Sequence, residues 1–269
     1  WRGVCDGMKM AGGLFWPIPI TLSADRAFAA SVRSGQDIAL ADRLEKEFDG
    51  RNSPEEKRLK QISDVFEAEV LMQSELSNWF GEEARTMKTS RYDDYKNKVD
   101  MVIEWFNRTE GSRILALAVD VTFSMKGIEN KLASVKAEIE GGKLGSIKYF
   151  KDERGDFMGT RNNVPRVVIG VSEAIVEEIA DLWIRGKNRE LSEHPIQYLF
   201  VIEIQTQLEA MRDYALALGK DGVVMAYEQA LSAIRPLYES KQHYKTPDII
   251  TDGVGKQILL MARAKFKEK

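Results

Sequence analysis

The chain has 269 residues, of which 43% are hydrophobic and 30% are charged, and its formal net charge at pH 7 is −3. This composition is typical of a globular protein with one large domain or two small ones, and the charge gives no global argument for nucleic acid. The single cysteine, Cys5, excludes an intrachain disulfide and a multi-cysteine zinc site, so a reducing, cytoplasmic location is expected.

The N-terminal part of the chain predicts an irregular or extended segment over residues 1–22, followed by a helix over residues 25–48. The segment lacks the charged start and the small-residue cleavage site of a signal peptide. No run in the sequence is long and apolar enough to span a bilayer, so no membrane partner is expected.

The next helix has a clear start signal and a regular apolar stripe. Ser53 can cap the helix, and Pro54 suits its first turn. Apolar residues recur at spacings of three and four, which predicts a helix up to about Phe80. Glu69 falls on this stripe, so it either lies at the margin and reaches water or points into a site shared with other acids.

Two strands are predicted next, over residues 99–106 and 113–124, joined by a polar, glycine-containing link that suits a hairpin. By the two-residue repeat of a strand, Asp120 shares one face with the small and polar residues Thr122 and Ser124. The other face is bulky and apolar. This contrast indicates a central strand with one side lining a site.

The remaining chain predicts a helix, two short strands and then only helices. The helix covers residues 126–140, and the strands cover residues 146–150 and 166–171. The later helices are predicted over residues 173–185, 195–218, 222–240 and 255–269. The fold class is therefore α/β (α+β), with a mixed central sheet flanked by helices and a helical C-terminal part.

Three parts of the chain are expected from this order of elements. Residues 1–54 form an N-terminal extension with a helix, residues 55–185 form an α/β core, and residues 186–269 form a helical part packed on that core. No internal repeat is visible. The apolar faces of the C-terminal helices could support a homodimer.

Two aspartates on neighbouring predicted strands are the main candidates for a functional site. Asp100 lies near the start of the first strand and Asp120 lies within the second. An ionised carboxylate in an apolar strand is costly unless something pairs with it, and oxygen ligands of this kind hold hard divalent cations. The alternative is a strand-edge cap at Asp100 and a buried, hydrogen-bonded carboxylate at Asp120.

A helix with a glutamate, a strand that starts with an aspartate, a hairpin and a second acidic strand resemble the PD-(D/E)XK nuclease superfamily, whose core is a restriction-endonuclease-like sheet. The resemblance implies that Asp100 and Asp120 bind Mg²⁺ or Mn²⁺. It also implies a supporting glutamate from the preceding helix, with Glu69 the first candidate and Glu67 or Glu75 the others.

The resemblance covers residues 60–171 and departs from the family at one important position. Thr122 stands where the family has a lysine that positions or activates the attacking water. In the family this lysine can migrate to a neighbouring element. Lys131 is then the first candidate, followed by Lys126 and Lys148.

Several other polar residues are open to two interpretations. Asp93 and Asp94 lie in the turn before the first strand, where they are either solvated or near the metal. Lysines and arginines recur between residues 85 and 151, either as a solvated face or as a band that neutralises phosphates. Glu203 and Gln207 share one helix face and fit core-margin packing better than a site.

The sequence thus predicts a Mg²⁺-dependent nuclease that acts on DNA, or on RNA. Its proposed site residues are Asp100, Asp120, Glu69, Lys131 and Thr122. The missing family lysine favours an alternative, in which a catalytically silent protein of the same fold binds nucleic acid or serves in an assembly.

Overall fold

The structure is a computed structural model, and it describes residues 34–51, 53–107, 111–120, 125–151 and 158–267. Helices and strands are mixed along the chain, with helical residues in the majority, so the predicted mixed α/β class is confirmed. After residue 170 the described chain is helical, as expected for the C-terminal part. No helix in these ranges is long and apolar enough to cross a membrane.

The described helices and strands follow one another in this order. The helices are α1 (Ser34–Arg51), α2 (Pro54–Leu76), α3 (Met125–Glu140), α4 (Glu173–Ile184), α5 (Asn188–Ser192), α6 (Ile196–Ala217), α7 (Asp221–Lys241), α8 (Pro247–Ile250) and α9 (Gly253–Lys265). The strands are β1 (Ala84–Lys88), β2 (Met101–Asn107), β3 (Gly111–Asp120), β4 (Gly145–Lys151), β5 (Met158–Val164) and β6 (Arg166–Gly170).

The larger sheet has four strands in the order β1-β2-β3-β6. The first three strands are antiparallel, and β6 runs parallel to β3 with Asp120 opposite Gly170. Every residue of β6 is buried, which explains its uninterrupted Val-Val-Ile run. The predicted hairpin and the strand over 166–171 therefore belong to one mixed sheet.

The smaller sheet is the antiparallel pair of β4 and β5. It has its own apolar cluster, in which Ile147, Phe150 and Val164 pack with Val99, which precedes β2, and with Val102 of β2. A π-helical turn, Asp93–Asn97, lies between the two sheets and contacts β4. The small sheet is thus attached to the segment that leads into β2.

Helix α2 starts where the sequence predicts and ends earlier. The Ser53 Oγ accepts a hydrogen bond from the Glu56 backbone N–H at 3.2 Å, and the Glu56 carboxylate accepts one from the Ser53 N–H at 2.6 Å. This reciprocal capping box fixes the start. Helix α2 ends at Leu76, and Asn78 adopts a positive φ of 51°, so the chain turns before Phe80.

The main core lies between the larger sheet and helices α2, α6 and α7. Phe200 of α6 is at its centre, with ring centroids at 5.8 Å from Phe66, 5.9 Å from Trp79 and 6.2 Å from Phe80. Trp79 and Phe80 follow the end of α2 and remain fully buried. The predicted apolar stripe therefore continues into the core after the helix itself has ended.

Several predicted elements differ from the observed ones. Strands β1 and β5 and the π-helical turn were not predicted, because each is short and carries charged or polar residues. The predicted helical residues 25–33 and strand residues 121–124 lie outside the described ranges. The three-part division of the chain stays a prediction.

Candidate functional site: a cavity lined by opposite charges

A cavity of about 610 Å³ opens beside helix α2, within the size range of ligand sites. Its lining is predominantly charged, with few apolar residues. The lining residues are Glu45, Leu59, Lys60, Ser63, Asp64, Glu67, Lys88, Arg91, Asp94, Tyr95, Lys98, Asp100 and Lys131. Among these described residues, five are acidic and five are basic.

Helix α2 supplies one wall of the cavity. Lys60, Asp64 and Glu67 are spaced by four and three residues, which places them on one helix face. The opposite face carries Ile62 and Phe66 into the core. The apolar face of α2 therefore packs in the core, while its charged face lines the cavity.

Strand β1 ends at the cavity with Lys88. The Lys88 Nζ lies 3.5 Å from the Glu67 Oε2, which is an ion pair between the strand and the helix. The Glu75 carboxylate of α2 accepts a hydrogen bond from the Thr86 N–H at 2.7 Å and holds β1 against the helix. This second contact fixes the strand from which Lys88 extends.

The π-helical turn and the residues after it supply the other acids. Asp94 and Tyr95 lie in the turn, and Lys98 follows in a left-handed conformation with φ of 58°. The Lys98 N–H donates to the Asp94 carbonyl at 3.0 Å. This tight turn brings Asp94 and Asp100, which are six positions apart, to the same cavity.

Burial and mutual repulsion raise the pKa of two cavity carboxyls. The pKa of Glu67 rises to about 8, chiefly through burial and then through Asp100, although Lys88 opposes the change. The pKa of Asp94 rises to about 7, again through burial first and Asp100 second. These carboxyls are therefore stabilised when a proton or a cation is bound near them.

Burial and the neighbouring carboxylates also shift the pKa values of two cavity lysines. Burial lowers the pKa of Lys98, against the attraction of Asp94 and Asp100. Burial also acts to lower the pKa of Lys88, but the surrounding carboxylates, Glu67 first, outweigh it and raise the pKa. The Lys88 ammonium is thus held in its charged form by the acids around it.

Helix α1 covers one side of the cavity mouth. The Arg91 Nη2 lies 2.8 Å from the Asp42 Oδ1 and also contacts the Glu45 carboxylate. The Tyr95 hydroxyl donates to Glu45 at 3.3 Å. The acidic residues of α1 therefore contact the basic and aromatic residues at the rim.

Two of the predicted site residues meet at this cavity. Asp100 and Lys131 both line it, and so does Asp94. The Asp120 backbone lies at the end of β3, but its side chain is outside what the structure describes. Thr122 lies in a range that the structure does not describe.

The predicted helix acid is not brought to the cavity. Glu69 is fully buried on the core side of α2, and neither of its carboxylate oxygens has a hydrogen-bond partner among the described residues. Glu67, the second choice, lines the cavity. Glu75 instead holds β1 in place. The apolar stripe explains the difference, because a residue on that stripe must face the core.

Lys148, the other lysine candidate whose side chain the structure describes, does not line the cavity. Lys148 lies on β4, where it pairs with Asp37 of α1 and sits over the Tyr92 ring at 4.7 Å from its centroid. The Lys126 side chain lies outside the described part. Asp93 is buried and does not line the cavity.

Glu203 and Gln207 lie in the core, as the packing interpretation expected. Both are fully buried on α6, and both hydrogen-bond to the backbone of β6. Burial raises the pKa of Glu203 well above its ordinary value. These residues support the sheet and do not reach the cavity.

Lys60 and Asp64 of α2 line the cavity but were not selected from the sequence, and Lys88 was noted only as one of the basic residues between positions 85 and 151. The spacing of Lys60, Asp64 and Glu67 on the polar face of α2 is a readable signal, since three charges on one face can line a common surface. Nothing in the sequence singled Lys88 out from that basic band, because β1 was not predicted. Its position depends on the pairing of β1 with β2.

The N-terminal part of the chain is similar in sequence to known proteins. A family model described as a PUA-like domain matches residues 1–49. Sulfate adenylyltransferases from Syntrophobacter fumaroxidans and Thiobacillus denitrificans are each 60% identical over 42 residues, which is 16% of this chain and 10% of each relative. The enzyme from Desulfatibacillum aliphaticivorans is 38% identical over 76 residues, 28% of this chain and 18% of the relative.

The matches cover only a short part of this chain and a short part of each relative. The chain spans less than a fifth of the length of these curated relatives, and the family model ends within α1. No solved structure matches the chain significantly. The N-terminal region is therefore similar to the PUA-like domain found in sulfate adenylyltransferases, while most of the cavity lies outside that match.

These findings correct the interpretation of the chain as a PD-(D/E)XK nuclease. The matches are to a PUA-like domain and to sulfate adenylyltransferases, so the nuclease family, the DNA-cleaving function and the silent nuclease-fold alternative are wrong. The family motif rests on a few acidic residues at strand ends, and such residues also occur where a strand simply meets a polar cavity. Among the described residues, no group of three or more His, Cys, Asp or Glu is placed to hold a metal ion by itself.

Proposed function

We propose that the protein binds a phosphate-bearing ligand together with a divalent cation in the charged cavity. The observation that carries this proposal is the balanced lining, in which five carboxylates and five basic residues share one cavity of about 610 Å³. A lining that contains both acidic and basic groups suits a ligand that carries both kinds of charge.

The carboxylates support the cation part of the proposal. Burial first, and then repulsion from Asp100, raises the pKa values of Glu67 and Asp94. A bound cation relieves this repulsion as a proton does. Mg²⁺ typically uses only one or two protein carboxylates and completes its shell with water and phosphate oxygens. The site therefore fits a cation that is held partly by the ligand.

The lysines support the phosphate part. Lys60, Lys98 and Lys131 line the same cavity as the acids. Lysine is a common phosphate-binding residue, because its ammonium is a compact charge on a flexible stem. A charged lining favours a small hydrophilic anion over an apolar ligand.

We assign the phosphate to a nucleotide rather than to a DNA or RNA strand. The relatives that match the N-terminal part are named as sulfate adenylyltransferases, a name that implies an adenylyl group. The matched segment ends within α1, whose Glu45 also lines the cavity. A nucleic-acid strand carries the same phosphate chemistry, so the experiment includes it as a separate ligand. A cytoplasmic location goes with this proposal.

The test is titration calorimetry of the wild-type protein with ATP or ADP, in the presence of Mg²⁺ and in the presence of EDTA. We expect binding that requires the cation and that weakens at least tenfold in Asp100→Asn. The matched control is Asp181→Asn, an exposed residue of α4 outside the cavity, which should bind as the wild type does. Far-UV circular dichroism verifies that each variant is folded.

Parallel titrations with single-stranded and double-stranded DNA and RNA distinguish the sources of the phosphate. Binding of DNA or RNA but not nucleotide would replace the assigned ligand by a nucleic-acid strand. Nucleotide binding that is equal with EDTA, or equal in Asp100→Asn, would overturn the role of the cation. Absence of binding to every phosphate ligand would overturn the proposed function.

A further inference from the structure

Helix α1 lies at the cavity mouth with little support from the apolar core. Among residues 35–47, whose burial is described, only Ala41 is buried, while Ile38, Leu40 and Leu44 are half-buried. None of these four side chains belongs to either apolar cluster of the described residues. Because buried apolar area is the main source of attachment between elements, packing alone holds α1 only weakly.

Charged contacts attach α1 at two places. Near its start, the Asp37 carboxylate accepts a hydrogen bond from the Lys148 ammonium of β4. Further along, the Arg91 guanidinium donates to the Asp42 carboxylate at 2.8 Å and also contacts the Glu45 carboxylate. The Arg91 side chain is 44% exposed, and its partners are 44% and 37% exposed. Ion pairs with this exposure are weak and are screened by salt, so the attachment is reversible.

Arg91 belongs to the cavity as well as to the contact with α1. Arg91 and Glu45 both line the cavity, whereas Lys148 does not. The guanidinium that holds α1 therefore lies within reach of a ligand in the cavity. A guanidinium binds phosphate and carboxylate groups through the same fork of N–H donors. Asp42 and Glu45 thus occupy the donors that the phosphate of a ligand would use.

We propose that α1 is a releasable cover of the cavity, held on Arg91 by Asp42 and Glu45, and that a phosphate-bearing ligand releases it by competing for Arg91. This inference rests on the proposed function and adds regulation of the same site. The two carboxylates are internal competitors of the phosphate. Ligand binding therefore loosens α1, whereas a ligand that binds beside a rigid wall protects that wall from local opening.

The test follows amide hydrogen exchange in the peptides of α1 by mass spectrometry, first without ligand. We expect this exchange to be about three- to tenfold faster at about 1 M NaCl than at about 0.05 M, because salt screens the ion pairs. Arg91→Gln should show a gain of about the same size already at the lower salt concentration, and a smaller further gain when salt is added. The peptides of α6, which lies in the core, are the internal reference for global stability.

Arg43→Gln is the matched control for the loss of one arginine and its ion pair. Arg43 is an exposed residue of α1 that does not line the cavity, and its Nε lies 3.9 Å from the Glu47 Oε1 of the same helix. This pair does not join α1 to another element, so we expect exchange in α1 to change by no more than about twofold. Equal gains in Arg43→Gln and Arg91→Gln would overturn the role of Arg91 in holding the cover.

The second measurement adds saturating ATP with Mg²⁺, and calorimetry verifies that the ligand is bound. We expect exchange in α1 of the wild type to become at least about threefold faster, whereas Arg91→Gln, whose α1 is already released, should show no such gain.

The failures of the two proposals can be told apart. Wild-type protein that does not bind ATP overturns the assigned ligand of the proposed function and this inference with it. ATP binding that leaves exchange in α1 unchanged or slows it overturns the releasable cover alone. So does exchange in α1 that responds neither to salt nor to Arg91→Gln.

Discussion

The side-chain amide of Gln207 makes with Val168 both of the hydrogen bonds that a further β-strand would make. The Gln207 Oε1 accepts from the Val168 N–H at 2.9 Å, and the Gln207 Nε2 donates to the Val168 carbonyl at 2.6 Å. One helical turn earlier, the Glu203 carboxylate accepts from the Gly170 N–H at 3.2 Å. Helix α6 therefore closes the free edge of β6, which protects it from pairing with another strand.

Replacement of Gln207 by leucine should destabilise the protein by about 2–4 kcal/mol, because the N–H and the carbonyl of Val168 would stay buried without partners. Urea unfolding followed by circular dichroism measures this change. Gln205→Leu on the half-buried side of the same helix is the control, and its side chain bonds only to Glu209 among the described contacts. Equal losses in both variants would show that the edge contact adds nothing.

Glu69 should make the stability of the protein depend on pH. Burial raises the pKa of this carboxyl to about 8. The folded state thus keeps the proton that the unfolded state releases above its ordinary pKa, and stability falls as pH rises from about 4.5 to about 8. Glu69→Gln lacks this term, so it should be more stable than the wild type at pH 8.5 by about 2 kcal/mol or more.

The same comparison at pH 4.5 isolates the titration of Glu69 from packing. There the wild-type carboxyl is protonated in the folded state and about half ionised in the unfolded chain, so its titration contributes only about 0.4 kcal/mol and the two proteins should have nearly the same unfolding free energy. Glu82→Gln, an exposed substitution of the same chemistry, is the matched control. A difference between Glu69→Gln and wild type that is constant across the pH range would contradict the assignment.

Arg166 joins three parts of the structure through one guanidinium. Its Nη1 donates to the Asn97 carbonyl at 3.0 Å, and its Nη2 donates at 2.9 Å to both the Ser134 Oγ and the Glu138 Oε1. Burial already raises the pKa of Glu138, while Arg166 opposes the shift. Arg166→Met removes that compensation and should cost about 3–5 kcal/mol in unfolding free energy.

The double variant Arg166→Met with Glu138→Gln tests the cause of that loss. If the cost comes from an uncompensated carboxylate, the second substitution should recover a measurable part of it in denaturant titrations. Additive losses would mean that Arg166 acts through its other contacts. The wild-type free energy and the Glu138→Gln single variant complete the cycle.

The capping box at the start of α2 should contribute about 1 kcal/mol. Ser53→Ala removes the acceptor for the Glu56 N–H and is expected to lower the unfolding free energy by that amount. Ser232→Ala, at an exposed position within α7, removes a hydroxyl without removing a cap. Thermal unfolding measures the stability of both variants. An equal decrease in the two would contradict the prediction.

The sequence was sufficient to predict elements whose signals are local. The start of α2 at Ser53 and Pro54 and the glycine stop near Gly141 need only neighbouring residues. The extent of α2 was wrong because the apolar spacing continues to Phe80, although the helix ends at Leu76. Trp79 and Phe80, which follow the end of α2, are apolar because they are buried in the core, and not because they are helical.

The site was predicted only in part, because it depends on contacts between distant segments. Asp100 and Lys131 line the cavity, whereas Glu69 was chosen over Glu67 from periodicity alone. Lys88 reaches the cavity only because β1 pairs with β2, and a single sequence gives no register for an edge strand that is not itself predicted. The family assignment was wrong because short acidic motifs do not determine a family.

The buried Asp93 side chain links β4 of the smaller sheet to the turn that leads into β2, so the two should open together. It accepts hydrogen bonds from the Ser90 hydroxyl, the Asn97 amide and the backbone N–H groups of Lys148 and Tyr149. Release of β4 therefore removes two of the four donors from a buried side chain. The amide protons of Lys148 and Tyr149 should exchange with solvent on the slow timescale of the larger sheet, although they belong to a two-stranded hairpin.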